Sequence, residues 1–160
     1  MVAREGSRPA SAEQRLKEFG IELPTPPEPF GIYAEAVQTG KLLFLTGMLP
    51  TNGRAAKFTG HVGAELDATG EREAARLAAL NALAAARQHL GSLDRVTRMS
   101  GLGSRWLLQE MSANRRKWLM PLRSCCKTFP AKTNPSRLVY GVASLPLGTP
   151  VELEVIFEVS

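Results

Sequence analysis

Histidine and cysteine are scarce in this chain of 160 residues, with two of each. The cysteines, Cys125 and Cys126, are adjacent, and the histidines, His61 and His89, are far apart. That scarcity excludes a disulfide framework and the spaced Cys/His sets that hold structural zinc. Long apolar runs are missing too. No stretch reaches the roughly 18 residues that would cross a bilayer, and residues 1–9 carry charge without the apolar centre of a signal peptide. No glycine-rich phosphate loop and no nucleophile elbow occurs. His61 falls in a loop and His89 late on a helix, where a cation suits the dipole, so both read as surface or capping residues. No metal and no cofactor is expected, and the compartment expected is the cytoplasm.

What remains is the composition of a globular protein, 44% hydrophobic and 22% charged. By length it is one domain, residues 1–160, with residues 1–10 as a flexible N-terminus.

Charge is distributed unevenly. Residues 99–133 contain seven Lys/Arg against one acid, Glu110, so this window carries +6 while the chain carries +5. Both tryptophans, both cysteines and three of the five methionines lie there as well. Compositional breaks of this kind mark insertions or tails, but back-translation offers another origin. Reading the third base of each codon with the first two of the next, Met120–Pro121 must give Ala and Cys125–Cys126 must give Leu. Cys126–Lys127 gives Gln or a stop. Permitted codons turn residues 118–129 into Val-Ala-Asp-Ala-Ala-Ser-Glu-Leu-Leu-Gln-Asp-Val, which has helical apolar spacing and no proline. Upstream the same frame permits Val-Arg-Leu-Gly-Val-Ser-Val-Ala, alternating like a half-buried strand. As printed, residues 100–104 and 118–122 suit neither a strand nor a helix. The expectation is a compensated frameshift across residues 99–133; the alternative is a divergent insertion. Arg115, Arg116 and Lys117 beside Trp118 imitate a nucleic-acid patch with an aromatic stacker, which exists only in the printed frame.

Along the rest of the chain, Ser11 reads as the N-cap of a helix over residues 11–19, with Leu16 and Phe19 as its apolar face and Gly20 as its stop. Residues 23–29 hold four prolines and cannot be regular structure, so they form a rigid arm. Residues 33–37 and 42–46 read as two strands joined at Thr39-Gly40, a hairpin. A loop punctuated by Gly53 and Gly60 follows, with a short strand near residues 57–62. Residues 67–90 form an alanine-rich amphipathic helix, and Gly91 sits where a C-cap belongs. So many small residues on one face predict close packing against a sheet. Residues 95–97 start a strand, and residues 138–143 and 151–159 are strands, the last alternating strictly. The fold class is α+β, an antiparallel-rich sheet with helices packed on one face.

Three stretches carry the chemical signal. Pro29-Phe30-Gly31-Ile32-Tyr33 leads into a strand, and Phe44-Leu45-Thr46-Gly47-Met48-Leu49-Pro50 ends one. Ser136-Arg137-Leu138-Val139-Tyr140-Gly141-Val142-Ala143-Ser144-Leu145-Pro146 precedes Val151-Glu152-Leu153-Glu154. Read singly, Arg137 is a strand-edge charge and Thr46-Gly47 an ordinary turn. In this order and at these separations they resemble the RidA/YjgF superfamily of reactive-intermediate deaminases, also known as endoribonuclease L-PSP, and especially its longer branch with an N-terminal helix and a proline arm. The resemblance covers residues 16–98 and 134–159.

The resemblance implies a chorismate-mutase-like subunit in a homotrimer, with clefts between subunits that take a small carboxylate-bearing metabolite. It implies no membrane and no nucleic acid. The implied reaction is hydrolysis of enamine or imine intermediates, released by pyridoxal-phosphate dehydratases, to 2-keto acids and ammonia. Arg137 falls on the arginine that grips the substrate carboxylate, a bidentate task that suits a guanidinium. Glu152 falls on the carboxylate that holds or activates water, and both are the catalytic candidates. Gly47 falls on the glycine that lets ligand approach the backbone, Thr46 replaces the usual serine, and Tyr33 falls on the site tyrosine. Met48 stands where glutamine is common, and Val139 where many members have cysteine, at a contact made largely by backbone. The rival from another class is a non-catalytic metabolite-binding trimer; a weaker one is an endoribonuclease.

Overall fold

The computed structural model describes residues 10–109 and 134–160. The arm of prolines is irregular over residues 21–29, as its missing donors require. Before it, helix α1 spans Ala12–Glu18, and its N-cap Ser11 accepts from Gln14 N at 3.3 Å. Gly20 follows at φ +61. Leu16 is buried as expected, but its companion is Ala12; Phe19 is the C-cap and 56% exposed. Helical spacing alone puts Phe19 on the Leu16 side, yet the chain has left the helix by then and the ring turns to solvent.

Strands β1 (Ala36–Thr39) and β2 (Leu42–Leu45) make the hairpin, with Gly40 at φ +55. β1 begins three residues later than expected, leaving Tyr33 outside the sheet. The short strand expected near residues 57–62 is misplaced. The chain instead pairs β3 (Thr51–Asn52) with β4 (Ala55–Ala56), and Val62 makes only isolated bridges.

Helix α2 runs Ala68–Leu90. The Asp67 side chain accepts from Thr69 N at 3.1 Å and Gly70 N at 2.8 Å, and Gly91 closes the helix at φ +80. Ala74, Ala75, Ala78, Ala82, Ala85 and Ala86 are buried, so the helix packs closely on the sheet. Asn81 is a buried polar residue of this helix. Asn81 Nδ2 donates to Leu49 O at 2.9 Å and Thr51 O at 3.0 Å, tying α2 to the segment after β2.

Strands β5 (Val96–Leu107), β6 (Ser136–Val142) and β7 (Val151–Val159) complete a sheet of order β1-β2-β7-β5-β6. All neighbours are antiparallel except β5 and β6. A parallel pair needs a long crossover; here it is residues 108–135, of which 108, 109, 134 and 135 are described.

The expectation that residues 100–104 fit no regular element is overturned: β5 runs through them, with a bulge between Met99 and Gly101. Its two glycines explain the error. Gly101 and Gly103 pair with Ile156 and Glu154 on the face away from the helices, where a Cβ would come within 3.2 Å of the Ile156 side chain and 3.3 Å of the Glu154 side chain. Leu102, Ser104 and Trp106 alternate onto the buried face; Trp106 is fully enclosed, and its Nε1 donates to Ser104 Oγ at 3.0 Å. The expectations for residues 1–9, Arg115–Trp118, Pro121 and the cysteine pair lie outside the described residues.

Candidate active site

Alternation along β7 sorts the candidates. Val151, Leu153, Val155, Phe157 and Val159 are buried under α2, so Glu152, Glu154, Ile156 and Glu158 face the helix-free side. Gly47 follows β2 and is held by its neighbours. Thr46 N donates to Glu35 O at 3.0 Å, while Met48 and Leu153 exchange backbone hydrogen bonds of 2.7 and 2.9 Å. This clamp brings Gly47 directly beneath Glu152. A Cβ on Gly47 would come within 2.7 Å of Glu152 Cδ, so only glycine leaves room for the carboxylate where it lies.

Glu152 is 19% exposed at its side chain, and Arg105 stands opposite it across β5 and β7. Arg105 Nη1 is 3.8 Å from Glu152 Oε2, and Nη2 is 3.0 Å from Glu154 Oε2. Sequence reasoning missed this partner because Arg105 lies inside the segment set aside as compositionally foreign. It also missed Glu35, whose backbone holds Thr46 and whose carboxyl is pushed above its ordinary range by burial.

Tyr33 sits in the bend before β1, half exposed, and its hydroxyl oxygen accepts from Phe30 N at 2.9 Å. Met48 is a correction: it is 1% exposed in the core, so the glutamine-to-methionine difference does not line the site.

The resemblance groups Arg137 with Gly47 and Glu152 in one site, but within the chain Arg137 does not face them. It pairs with Leu102, which pairs with Val155, so it belongs to the helix side of the sheet. Val139, paired with Ser104, shares that side and packs on the core. Glu152 is on the other face. Two strand spacings also intervene, about 10 Å between β6 and β7. Within one chain, then, Glu152, Gly47 and Thr46 come together, and Arg137 and Val139 do not join them. The side chain of Arg137 is exposed and has no hydrogen-bond or ion-pair partner among the described residues.

Near Arg105 the helix-free face holds a cavity of about 80 Å³, floored by Gly101 and Gly103 and walled by Leu138, Tyr140 and Ile156. Leu138 and Tyr140 are 59% and 50% exposed, and Val37, Leu42 and Phe44 are exposed further along the sheet. Among the described residues no group of three or more His, Cys, Asp or Glu could hold a metal ion. None of the described helices is long and apolar enough to cross a membrane.

Protein TCP17 of Trypanosoma cruzi is 32% identical to this chain over 152 residues, covering 91% of this chain and 92% of its own. The chain belongs to the RidA/YjgF superfamily. A provisionally assigned endoribonuclease from Shewanella oneidensis MR-1 superposes with a TM-score of 0.85 at 25% identity, over 93% of this chain and 99% of that one. RidA from Psychrobacter sp. PAMC 21119 shares the fold at a TM-score of 0.58 and 18% identity, over 84% and 94% of the two chains. No family model matches the chain. The RidA/YjgF fold, α+β and chorismate-mutase-like, is therefore that of this protein.

Proposed function

We propose that this RidA/YjgF protein hydrolyses imines, and the enamines that tautomerise to them, to 2-keto acids and ammonia. The observation that carries the reading is the Glu152 carboxylate seated on Gly47, mostly shielded yet still reached by solvent. A carboxylate so placed can accept a hydrogen bond from one water and aim its oxygen at an electrophilic carbon. The C=N carbon takes the water oxygen, the nitrogen takes a proton, and the resulting carbinolamine loses ammonia as its C–N bond breaks. An imine is reactive enough for this without a metal or cofactor. Arg137 supplies the fork that anchors the substrate carboxylate.

The two groups meet in a cleft between subunits of a homotrimer, Arg137 from one copy and Glu152 from the next. Two observations support this assembly: Arg137 and Glu152 lie on opposite faces within a chain, and the helix-free face leaves Val37, Phe44, Leu138 and Tyr140 uncovered. The endoribonuclease reading finds little support among the described residues, since Glu152, Glu154 and Glu158 alternate along that face.

The test is release of ammonia and keto acid from an imine generated freshly by an amino-acid oxidase. The protein should accelerate hydrolysis over buffer, and Glu152→Gln should lower kcat more than it raises KM. Binding of 2-keto acids with no acceleration would instead favour a non-catalytic metabolite-binding trimer.

A further inference from the structure

We propose that Arg54 is a positioning residue for Tyr33, acting through the single peptide group that joins Pro29 to Phe30; this rests on the reading of Tyr33 as a site residue. Arg54 lies in the turn between β3 and β4, after Gly53 at φ +57. It reaches back across 25 residues of chain, and its Nη2 donates to Pro29 O at 3.1 Å. The other end of the same peptide, Phe30 N, donates to Tyr33 Oη at 2.9 Å. A guanidinium on the carbonyl, a planar peptide and a phenol on the amide thus form one continuous chain of hydrogen bonds.

Each link has a consequence for the phenol. A cation at a carbonyl oxygen draws electron density through the peptide and makes its N–H a better donor, the polarisation that strengthens hydrogen bonds in series. The phenol oxygen is then occupied as an acceptor, and its own proton is left to donate to something else. In a site built for a carboxylate-bearing imine, that something is an acceptor atom of the substrate. The ring lies over the side of Gly31 where a Cβ would stand 3.5 Å from Tyr33 Cε1. Pro29 contributes stiffness, with its fixed φ and no N–H of its own to compete.

The pairing of Arg54 with Glu28 at 3.3 Å is a lesser part of the arrangement. Both side chains are mostly exposed, at 65% and 73%, and an exposed ion pair adds little. What matters is the carbonyl, which no change at Glu28 removes.

The experiment is a double-mutant cycle on kcat/KM for imine hydrolysis, with thermal melts as a control for folding. Arg54→Met in the otherwise unchanged protein should cost about fivefold or more, and the same change in a Tyr33→Phe background less than about twofold, because residues that act as a unit are not additive. Arg54→Lys should recover part of the loss, since an ammonium still reaches one carbonyl, and Glu28→Gln should stay within about twofold of wild type. Exchange of the Phe30 amide proton, followed by NMR, should quicken in both Arg54→Met and Tyr33→Phe. Additive losses, or a Phe30 amide unchanged in both variants, would overturn the proposal. A wild-type protein without hydrolytic activity would instead overturn the proposed function, and the Phe30 exchange would then decide the case for Arg54.

Discussion

The Glu152 carboxylate occupies the space that a side chain on Gly47 would fill, its Cδ within 2.7 Å of where a Cβ would stand. What an added methyl group meets is the end of a flexible side chain rather than backbone. The cost of Gly47→Ala therefore falls on the position of Glu152 more than on the fold. Unfolding free energy should drop by less than about 1 kcal/mol, as for other substitutions without a cavity or buried unpaired group. Imine hydrolysis should fall about tenfold or more, the equivalent of about 1.4 kcal/mol in the transition state. Full activity in this variant would mean that the position of Glu152 on Gly47 does not carry the reaction, and another carboxylate would have to take the role.

Arg137 and Glu152 lie on opposite faces of one sheet, which makes subunit sharing testable by mixing. Arg137→Ala alone should lower hydrolysis at least about tenfold, since a charge-assisted contact to the substrate is worth on the order of 2–4 kcal/mol. Arg137→Lys should restore only part, because an ammonium cannot form the fork. Coexpression of Arg137→Ala with Glu152→Gln chains should regain roughly a quarter of wild-type activity, because random assembly pairs intact residues at that share of a trimer's clefts. Mixed preparations as inactive as their parents would place both residues in one chain's site, or outside the site.

Asn81 is buried in α2 and binds Leu49 O and Thr51 O. Asn81→Leu keeps the branched heavy-atom skeleton but is bulkier and removes the donors. Urea unfolding should show a loss of about 1–3 kcal/mol, the cost of leaving buried carbonyls short of a partner. A loss below about 0.5 kcal/mol would mean that water or a rotated Thr51 hydroxyl replaces the amide.

Glu71 sits buried in the first turn of α2, and desolvation raises its pKa above the ordinary 4.5 while Arg72 pulls it back. A raised folded-state pKa means that the native protein binds this proton more tightly than the unfolded chain. The associated stability is complete below pH 4.5 and is lost as pH climbs through the folded value. Glu71→Gln never ionises, so at pH 7 its melting temperature should exceed that of wild type. The gap should close as pH falls below 4.5. A gap independent of pH would assign the effect to packing.

Residues 99–133 invite a check on the gene itself. A compensated frameshift places one indel near the Arg98 codon and an opposite one near the Thr133 codon, and the intact mass of the natural protein then departs from 17.3 kDa. The buried course of β5 through Leu107 favours the printed residues there. A peptide covering Trp106 as printed, together with an altered one over Trp118, would move the upstream indel beyond Leu107. A matching mass with both peptides intact would refute a sequencing error.

Much of the architecture was legible in local patterns. Strict alternation marked β7 from Val151 to Val159, alanine spacing with Gly91 marked α2, and Gly40 marked the hairpin turn. These signals survive without tertiary help because a strand's period, a helix's period and a left-handed turn are properties of neighbouring residues. The pairing of Gly47 with Glu152 was legible only as a family pattern. β5 was misread because two glycines looked like a break, when both lie under the side chains of Ile156 and Glu154 on the neighbouring strand. Only the folded sheet decided that Met48 is core, that Arg105 stands beside Glu152, and that Arg137 looks away from both. Those facts depend on which strands are neighbours and in what register, and one step in register turns every side chain of a strand to the opposite face. No local run of residues encodes that step; it is set by burying Leu102, Trp106, Val155 and Phe157 together in one core.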